Sequence, residues 1–252
     1  MTGAVDQQIA PGHVTFGRFA YPPNELGYCG PAGVAAPDLA AHAREFDGAW
    51  PYLTAIADAA GIADPLDEEV VTAYWIGGPL LGEVDPGVLL AGLRHAFRGQ
   101  VSGLLTALGD NAEVLAHHSL HVFAVYPWVR FLDRDAATPV RVMESCRIRW
   151  GTVESVTGTD AVITSAPLTF AAGRLRLGDP RAERVRWHRD GTSLTVAPVP
   201  GDTVAAHWDW ICGTLTADQT AALDAATRST LDVVNTTRSS LPRSCGDREE
   251  MS

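Results

Sequence analysis

The stretch "GDTVAAHWDW", residues 201–210, decides what the second half of this chain can be. Turn-forming Gly201 and Asp202 precede β-branched and aromatic residues that alternate as in a strand with two different faces. One face would carry Val204, Ala206, Trp208 and Trp210. The other would carry Thr203, Ala205, His207 and Asp209. The pattern predicts that His207 points away from the tryptophans and that Asp209 can orient its ring, as carboxylates do for metal-bound imidazoles. A structural histidine with satisfied hydrogen bonds is the alternative.

Other short β-branched and aromatic runs precede this strand, separated by Gly, Asp and Pro. They cover residues 141–156, 160–170, 173–178 and 183–198. Asp190-Gly191 within the last run is a favourable hairpin turn. A helix follows, with Thr216 and Gln219 as its expected capping box. These signals predict a small β-barrel with a C-terminal helix.

The first half has helical periodicity instead. Five segments have helix start and stop signals: residues 37–46, 50–61, 64–78, 85–99 and 111–132. Pro127 should break the last of them. We therefore predict an α+β fold with a helical domain over residues 1–138, including an ordered N-terminal strap. The barrel and its helix would occupy residues 139–238, and a disordered tail residues 239–252.

Two motifs in the second half resemble the HypC/HupF family of [NiFe]-hydrogenase assembly chaperones. The first, "SCRIRWGTVESVTGTDAVI", spans residues 145–163 and supplies Cys146, Ile148, Gly151 and Val153. The second, "VPGDTVAAHWDWICGTLTADQTAALDAA", spans residues 199–226 and supplies Gly201, Asp202, Val204 and His207. The resemblance covers roughly residues 144–235.

The resemblance implies a HypC-like, OB-like barrel that carries or inserts the iron fragment of the hydrogenase active site, Fe(CN)2CO. Carried over to this sequence, the iron ligands would be Cys146 and His207, a thiolate and an imidazole. The implied partners are the hydrogenase large subunit or maturation proteins. This chain departs from the family because Cys146 is internal instead of N-terminal, and because a long helical segment precedes the motifs.

The neighbours of Cys146 bear on its chemistry. Arg147 and Arg149 would favour the thiolate, and with it metal binding or nucleophilicity. A buried small hydrophobic residue is the alternative for a cysteine at the start of a predicted strand.

The segment "RFAYPPNELGYCGPAG", residues 18–33, is unusual for its proline and glycine content. Pro22-Pro23 predicts an extended backbone, so Cys29 would lie on a rigid, exposed loop. The side chains that this binding loop would present to a partner or metal are Tyr21, Asn24, Tyr28 and Cys29. A strap with a packing cysteine is the alternative. The part "YPPNELGYCGP" is similar to segments of uncharacterised hydrogenase-associated proteins.

The motif "HHSLH" places His117 and His121 four residues apart, so on a helix they would share one face and could bind one metal ion. The apolar residues around them favour core or interface histidines instead. There is no Glu of the HExxH kind between them, so metalloprotease chemistry is not indicated.

Composition excludes several classes of function. The net charge of -11 disfavours nucleic acid and anionic membranes as partners. All nineteen basic residues are arginine, which excludes a Schiff-base lysine and a Walker-type phosphate loop. Four scattered cysteines without a CxxC pair, and no secretory or membrane-spanning signal, favour the cytoplasm.

Three functions remain open on the sequence. The first is an accessory protein of [NiFe]-hydrogenase maturation that binds or hands over iron. The second is a cysteine-dependent enzyme that uses Cys29 or Cys146 with a histidine of "HHSLH" as base. The third is a metal-free protein-binding scaffold.

Overall fold

Helices dominate the first half of the computed structural model, which describes residues 10–241. The α-helices there are α1 (Pro11–Glu25), α2 (Trp50–Ala60), α3 (Glu68–Trp75), α4 (Pro86–Ala96), α5 (His118–Leu120) and α6 (Ala137–Cys146). Three 3₁₀ helices cover Ala36–Glu45, Pro79–Gly82 and Pro127–Phe131, and α5 continues as a π-helix over His121–Val125. No helix within the described residues is both long and apolar enough to cross a membrane.

Several predicted helix ends are confirmed. The side chain of Asp85 accepts a hydrogen bond from a first-turn amide of α4, at the predicted start. Helix α3 begins later than predicted, because Asp67 and not Asp64 caps its first turn. Gly61 ends α2 in the left-handed conformation, with φ of 67°. Thr216 and Gln219 form the expected capping box of α7 (Ala217–Ser240).

The strands lie in the second half of the described chain. They are β1 (Arg149–Thr157), β2 (Asp160–Ser165), β3 (Leu168–Ala171), β4 (Arg174–Leu177), β5 (Arg181–Arg186), β6 (His188–Arg189), β7 (Thr192–Ser193), β8 (Thr203–His207) and β9 (Trp210–Thr214). Five of them form a closed barrel in the order β1-β2-β5-β9-β8, and β8 returns to pair with β1. Strands β3-β4 and β6-β7 form separate hairpins, the second turning at Asp190-Gly191 as predicted. The α+β fold class is confirmed.

The barrel has two apolar faces that belong to different cores. Its interior is a small cluster that includes Val204 and Ala206 of β8. Ala205 of the same strand belongs instead to the large core that also contains the helices. The predicted alternation over residues 203–207 is thus observed, and it directs His207 toward the helical half.

Helix α1 corrects the prediction for residues 18–33. The Pro22-Pro23 pair is not extended but lies in the last turn of α1, which ends at Glu25. Both prolines are buried, so packing outweighs the loss of two backbone donors. The irregular segment begins only after this helix.

Two further predictions of local structure were wrong. Cys146 does not begin a strand but is the last residue of α6, because residues 137–146 pack as a helix whose buried residues include Pro139 and Met143. The long helix expected over residues 111–132 is reduced to α5 and its π-helical continuation, which ends before Pro127. The predicted tail begins inside α7, and from residue 242 onward it lies outside the described residues.

Candidate metal centre

Three side chains from distant parts of the sequence meet beside the barrel. His118 begins α5, Cys146 ends α6 and His207 ends β8. One potential ligand atom of each lies within 4.8 Å of the other two, and all three residues are buried. The structure therefore brings Cys146 and His207 together and adds His118, which the sequence analysis did not select.

The backbone fixes the separation of Cys146 and His207. The amide of Trp208, which follows His207, donates to the carbonyl of Ser145, which precedes Cys146, at 2.7 Å. The Arg149 guanidinium bridges the same two segments, because its Nη1 donates to Ser145 O at 3.2 Å and its Nη2 donates to Trp208 O. The residue before Cys146 and the residue after His207 are thus joined twice, once directly and once through Arg149.

His207 has one ring nitrogen satisfied and one free. Its Nδ1 lies 2.7 Å from the carbonyl oxygen of Phe19, and since a carbonyl only accepts, Nδ1 carries the proton. Its Nε2 is then a lone-pair acceptor, and it has no hydrogen-bond partner within residues 10–241. A ring that donates one N–H to a carbonyl and leaves the other nitrogen bare is in the form that metal-binding histidines adopt.

The contacts of His118 are short of one proton. Tyr74 Oη lies 2.5 Å from Gly48 O and 2.9 Å from His118 Nδ1, and His118 Nε2 lies 2.9 Å from Cys146 O. These three contacts need three protons, but the tyrosine and a neutral imidazole supply two. A cation bound at Nε2 removes the shortage, because Nδ1–H can then donate to Tyr74, whose O–H donates to Gly48.

Burial keeps this cluster uncharged. It lowers the pKa of His118 to about 4 and that of His207 well below the ordinary value. Burial also raises the pKa of the Cys146 thiol, and nearby Cys29 raises it further. The bare Nε2 of His207 is ready for a metal. The Cys146 thiol must lose its proton to bind one, and the proton of His118 must move from Nε2, which faces Cys146 O, to Nδ1.

The three residues face a small cavity. It offers about 20 Å³ of free volume, enough for one water molecule or one ion. The wall also includes Pro23, Cys29, His121 and Tyr126. Cys29 lies outside the group of three, and its Sγ contacts Tyr126 Oη at 3.9 Å. The thiol predicted to be exposed is only partly accessible, and it faces inward because the side chain of buried Asn24 holds the carbonyl of Cys29 at 2.9 Å.

Asp209 does not have the role predicted for it. Strand β8 ends at His207, and Trp208 takes a left-handed conformation with φ of 52°, which breaks the alternation. The Asp209 carboxylate pairs with Arg186 instead. A backbone carbonyl, that of Phe19, orients the His207 ring.

The predicted activation of Cys146 by its arginine neighbours was also wrong. Arg147 pairs with Glu144 at 2.7 Å and donates to Ala166 O. Arg149 pairs with Glu183 at 3.1 Å. Because both guanidinium groups are neutralised by carboxylates, burial governs the thiol and raises its pKa.

The predicted pair of His117 and His121 does not form a site. His117 precedes α5, where its Nδ1 accepts from the Ser119 amide at 3.1 Å, so its proton lies on Nε2. His121 begins the π-helix and contacts Tyr52 Oη at 3.4 Å through Nδ1. The two therefore do not share one regular helical face, and neither belongs to the group of three.

The other residues of the predicted binding loop have mainly structural contacts. Tyr21 packs edge-on against Trp210, with ring centroids 5.6 Å apart. Asn24 is buried and holds the carbonyls of Cys29 and Pro31. Tyr28 is half exposed and stacks on Trp208 at 4.5 Å, so it alone of the three presents a large face to solvent.

Sequence reasoning missed His118 because it assumed one regular helix through "HHSLH". The signals that pointed elsewhere were two adjacent histidines, a Ser at position 119 and the break at Pro127. A short helix that passes into a π-helix changes which residues share a face, and a periodicity of 3.6 residues cannot detect that change.

Comparisons with known proteins gave one match. No curated protein and no solved structure matched the chain. One protein-family model matched residues 8–240, which is most of the sequence. The chain therefore belongs to the Family of unknown function (DUF6390).

Proposed function

We propose that this chain is a metal-binding accessory protein with a centre made by His118, Cys146 and His207. The observation that carries the proposal is His207 Nε2, a buried lone-pair nitrogen beside a thiol and a second imidazole, with no partner in the described part of the chain. The missing proton among the contacts of His118 supports the same conclusion.

The donor set indicates the class of metal. Thiolate and imidazole ligands suit iron, zinc, copper or nickel, and they do not suit magnesium or calcium. Three protein ligands leave a further position open. Cys29, on the wall of the same cavity, is the ligand that we assign to that position.

The resemblance to the HypC/HupF family supports iron as the metal and [NiFe]-hydrogenase assembly as the setting. The proposal includes an OB-like barrel, the hydrogenase large subunit or maturation proteins as partners, and a cytoplasmic location, which suits the free thiols of Cys29, Cys146 and Cys212. The cavity of about 20 Å³ fits a single ion. A fragment as large as Fe(CN)2CO would require the segment 26–35 to move aside.

The cysteine-dependent enzyme is the weaker alternative. A nucleophilic cysteine needs a thiolate at neutral pH and access for a substrate. Cys146 has neither, since it is buried and its pKa is raised. Cys29 is partly accessible, but burial raises the pKa of its thiol as well. A metal-free scaffold is the alternative that the binding experiment decides.

Metal binding is tested by anaerobic titration of the purified chain with Fe(II), with Co(II) as the spectroscopic probe and native mass spectrometry for stoichiometry. We expect one ion per chain, and affinity at least about 100-fold lower in Cys146→Ala and in His207→Gln, since each removes a direct ligand. Cys212→Ala is the matched control, because Cys212 is equally buried but lies outside the cavity. A wild-type chain that binds neither ion would overturn the proposal in favour of the scaffold.

The hydrogenase setting needs a separate test. The chain is purified anaerobically from cells that make an active [NiFe] hydrogenase, and infrared spectra are searched for CN and CO bands, with co-purifying proteins identified by mass spectrometry. Bands together with maturation proteins would support the setting. Bound metal without CN and CO bands, and without co-purifying hydrogenase proteins, would contradict the hydrogenase setting. The proposal would then be limited to a protein that binds a single metal ion.

A further inference from the structure

Helix α1 contains a carbonyl group that its own helix cannot use. In an α-helix the oxygen of one residue accepts from the amide four residues later, and in a 3₁₀ turn from the amide three residues later. For Phe19 these residues are Pro23 and Pro22. Neither has an N–H group, so both regular donors to Phe19 O are absent.

That carbonyl is used by the candidate metal centre. Phe19 O accepts from His207 Nδ1 at 2.7 Å, over a separation of 188 residues. The contact holds the proton on Nδ1 and leaves Nε2 bare among Cys146 and His118. In the opposite tautomer, Nε2 would carry a hydrogen and could not bind a metal.

We infer that Pro23 is a positioning residue of the centre: by leaving Phe19 O without a helical donor, it reserves this carbonyl for His207 and fixes the ring in its metal-binding tautomer. An N–H at position 23 would be a second donor to this oxygen and, by drawing it toward the helix axis, would weaken its bond to the imidazole. The role of Pro23 in metal binding rests on the proposed function. Its effect on the His207 tautomer does not, because that effect is a property of the metal-free protein.

The neighbouring proline provides a matched control. Pro22 and Pro23 are both buried in the same turn. An amide introduced at position 22 would face Arg18 O, four residues earlier, whereas one at position 23 would face Phe19 O. The variants Pro22→Ala and Pro23→Ala thus make the same chemical change in the same turn, but only the second supplies the α-helical donor to Phe19. Pro23 also lines the cavity and Pro22 does not, so the tautomer of the metal-free protein is the readout that isolates the donor.

The first measurement is the ring ¹⁵N chemical shifts of the metal-free protein by NMR, with His207 assigned by comparison with His207→Gln. We expect wild type and Pro22→Ala to show the Nδ1–H tautomer of His207. Pro23→Ala should show a mixture with Nε2–H or the Nε2–H form alone. A pure Nδ1–H signal in folded Pro23→Ala would overturn the inference. An equal gain of the Nε2–H form in Pro22→Ala and Pro23→Ala would overturn it as well.

The second measurement is Co(II) affinity by competition with a chelator. Removing a group that orients a metal-binding histidine costs about 10- to 100-fold in affinity, and we expect a loss of that size in Pro23→Ala. Pro22→Ala should stay within about threefold of wild type, because in an α-helical turn its new amide is directed at Arg18 O, and only a local 3₁₀ turn would direct it at Phe19 O. Circular dichroism and thermal melting of both variants show whether α1 is retained.

The two measurements separate this inference from the proposed function. If wild type binds no Co(II), the proposed centre fails, while the tautomer comparison still tests the role of Pro23. If wild type binds Co(II) and Pro23→Ala binds it equally well, the centre stands and the role of Pro23 is refuted.

Discussion

Two parts of the cavity wall differ in construction, while the rest of the lining comes from residues 20, 23, 46, 48, 49, 74, 75 and 126. The ligand wall consists of residues 117–121, 145–149 and 203–208, and its parts are held by hydrogen bonds between helices and strands. The loop wall, residues 26–35, is irregular, with glycines at positive φ at positions 27, 30 and 33. It is held at a few points, mainly by Asn24 and by the stacking of Tyr28 on Trp208.

This contrast allows the proposed centre to be both formed in advance and accessible. Side chains on helices and strands are already held in place, so little conformational entropy is lost when they bind a ligand. An irregular segment can move without displacing those side chains. Three proposed ligands lie on the ligand wall, and Cys29 lies on the loop wall.

The largest effect that we expect is acid destabilisation of the ligand wall. His117, His118, His121 and His207 are neutral in the folded chain because burial lowers their pKa values, to about 3 for His117 and His121 and about 4 for His118. The unfolded chain takes up these protons below about pH 6.5. The contribution of these neutral histidines to the free energy of unfolding is therefore fully present above pH 6.5. It falls as the pH is lowered toward 4, by up to about 1.4 kcal/mol per pH unit for each histidine.

This prediction is checked by denaturant unfolding of the metal-free chain between pH 7 and pH 4.5. His118→Gln should show a shallower pH dependence than wild type, since one titrating group is gone. A free energy of unfolding that does not change over this interval would contradict the buried, neutral state of these histidines.

The next effect separates His118 from His121 within the ligand wall. Both are buried and both line the cavity, but only His118 belongs to the group of three. His118→Gln should weaken Co(II) binding at least about 100-fold as a lost ligand, and His121→Gln by less than about threefold. Chelator competition measures both, and equal losses would mean that the ligand set is assigned wrongly.

A smaller effect is expected for the two buried arginines beside Cys146. Arg149 bridges the segments that carry Cys146 and His207, whereas Arg147 bonds Glu144 and Ala166. Arg149→Lys should lower Co(II) affinity about tenfold, because the compact lysine ammonium lacks the planar fork with which Arg149 spans Ser145 O and Trp208 O.

Arg147→Lys is the matched control and should leave Co(II) affinity within about threefold of wild type, since Arg147 does not join the two ligand-bearing segments. Thermal melting of both variants measures the loss of stability, which we expect to be similar. Equal Co(II) affinities for the two variants would show that Arg149 does not position the proposed ligands and that both arginines only stabilise the fold.

The smallest effect is expected on the loop wall. Cys29→Ser should lower Co(II) affinity less than about tenfold, because the other three ligands remain. Part of the binding free energy that Cys29 supplies is also offset by the entropy lost when its loop becomes ordered. The sulfur-to-cobalt charge-transfer absorption should fall to about half as one of two thiolates is lost. An unchanged absorption would show that Cys29 is not a ligand.

Local signals in the sequence predicted much of the fold. Asp85, Gly61 and Thr216 act within a few residues of themselves, so their caps could be predicted without knowledge of the rest of the chain. The meeting of Cys146 and His207 was also expected, but it came from the family resemblance and not from local rules.

The errors occurred where distant contacts decide the local structure. Asp209 was placed by an alternation that Trp208 interrupts in a left-handed turn. Pro22-Pro23 was expected to be extended, but the tertiary contacts of α1 keep it helical. His118 was missed because the π-helix after α5 changes the faces, and no hydrophobic period reveals that.

The bond between Phe19 and His207 also has a consequence for the order of events in the cell. It joins residues 188 positions apart, and β8 is among the last elements to be synthesised. A nascent chain that lacks β8 has neither the third ligand nor the partner of Phe19 O. Under the proposed function, metal loading through this centre belongs after β8 has been synthesised, and an occupied centre would report that the helical half and the barrel have both reached their final arrangement.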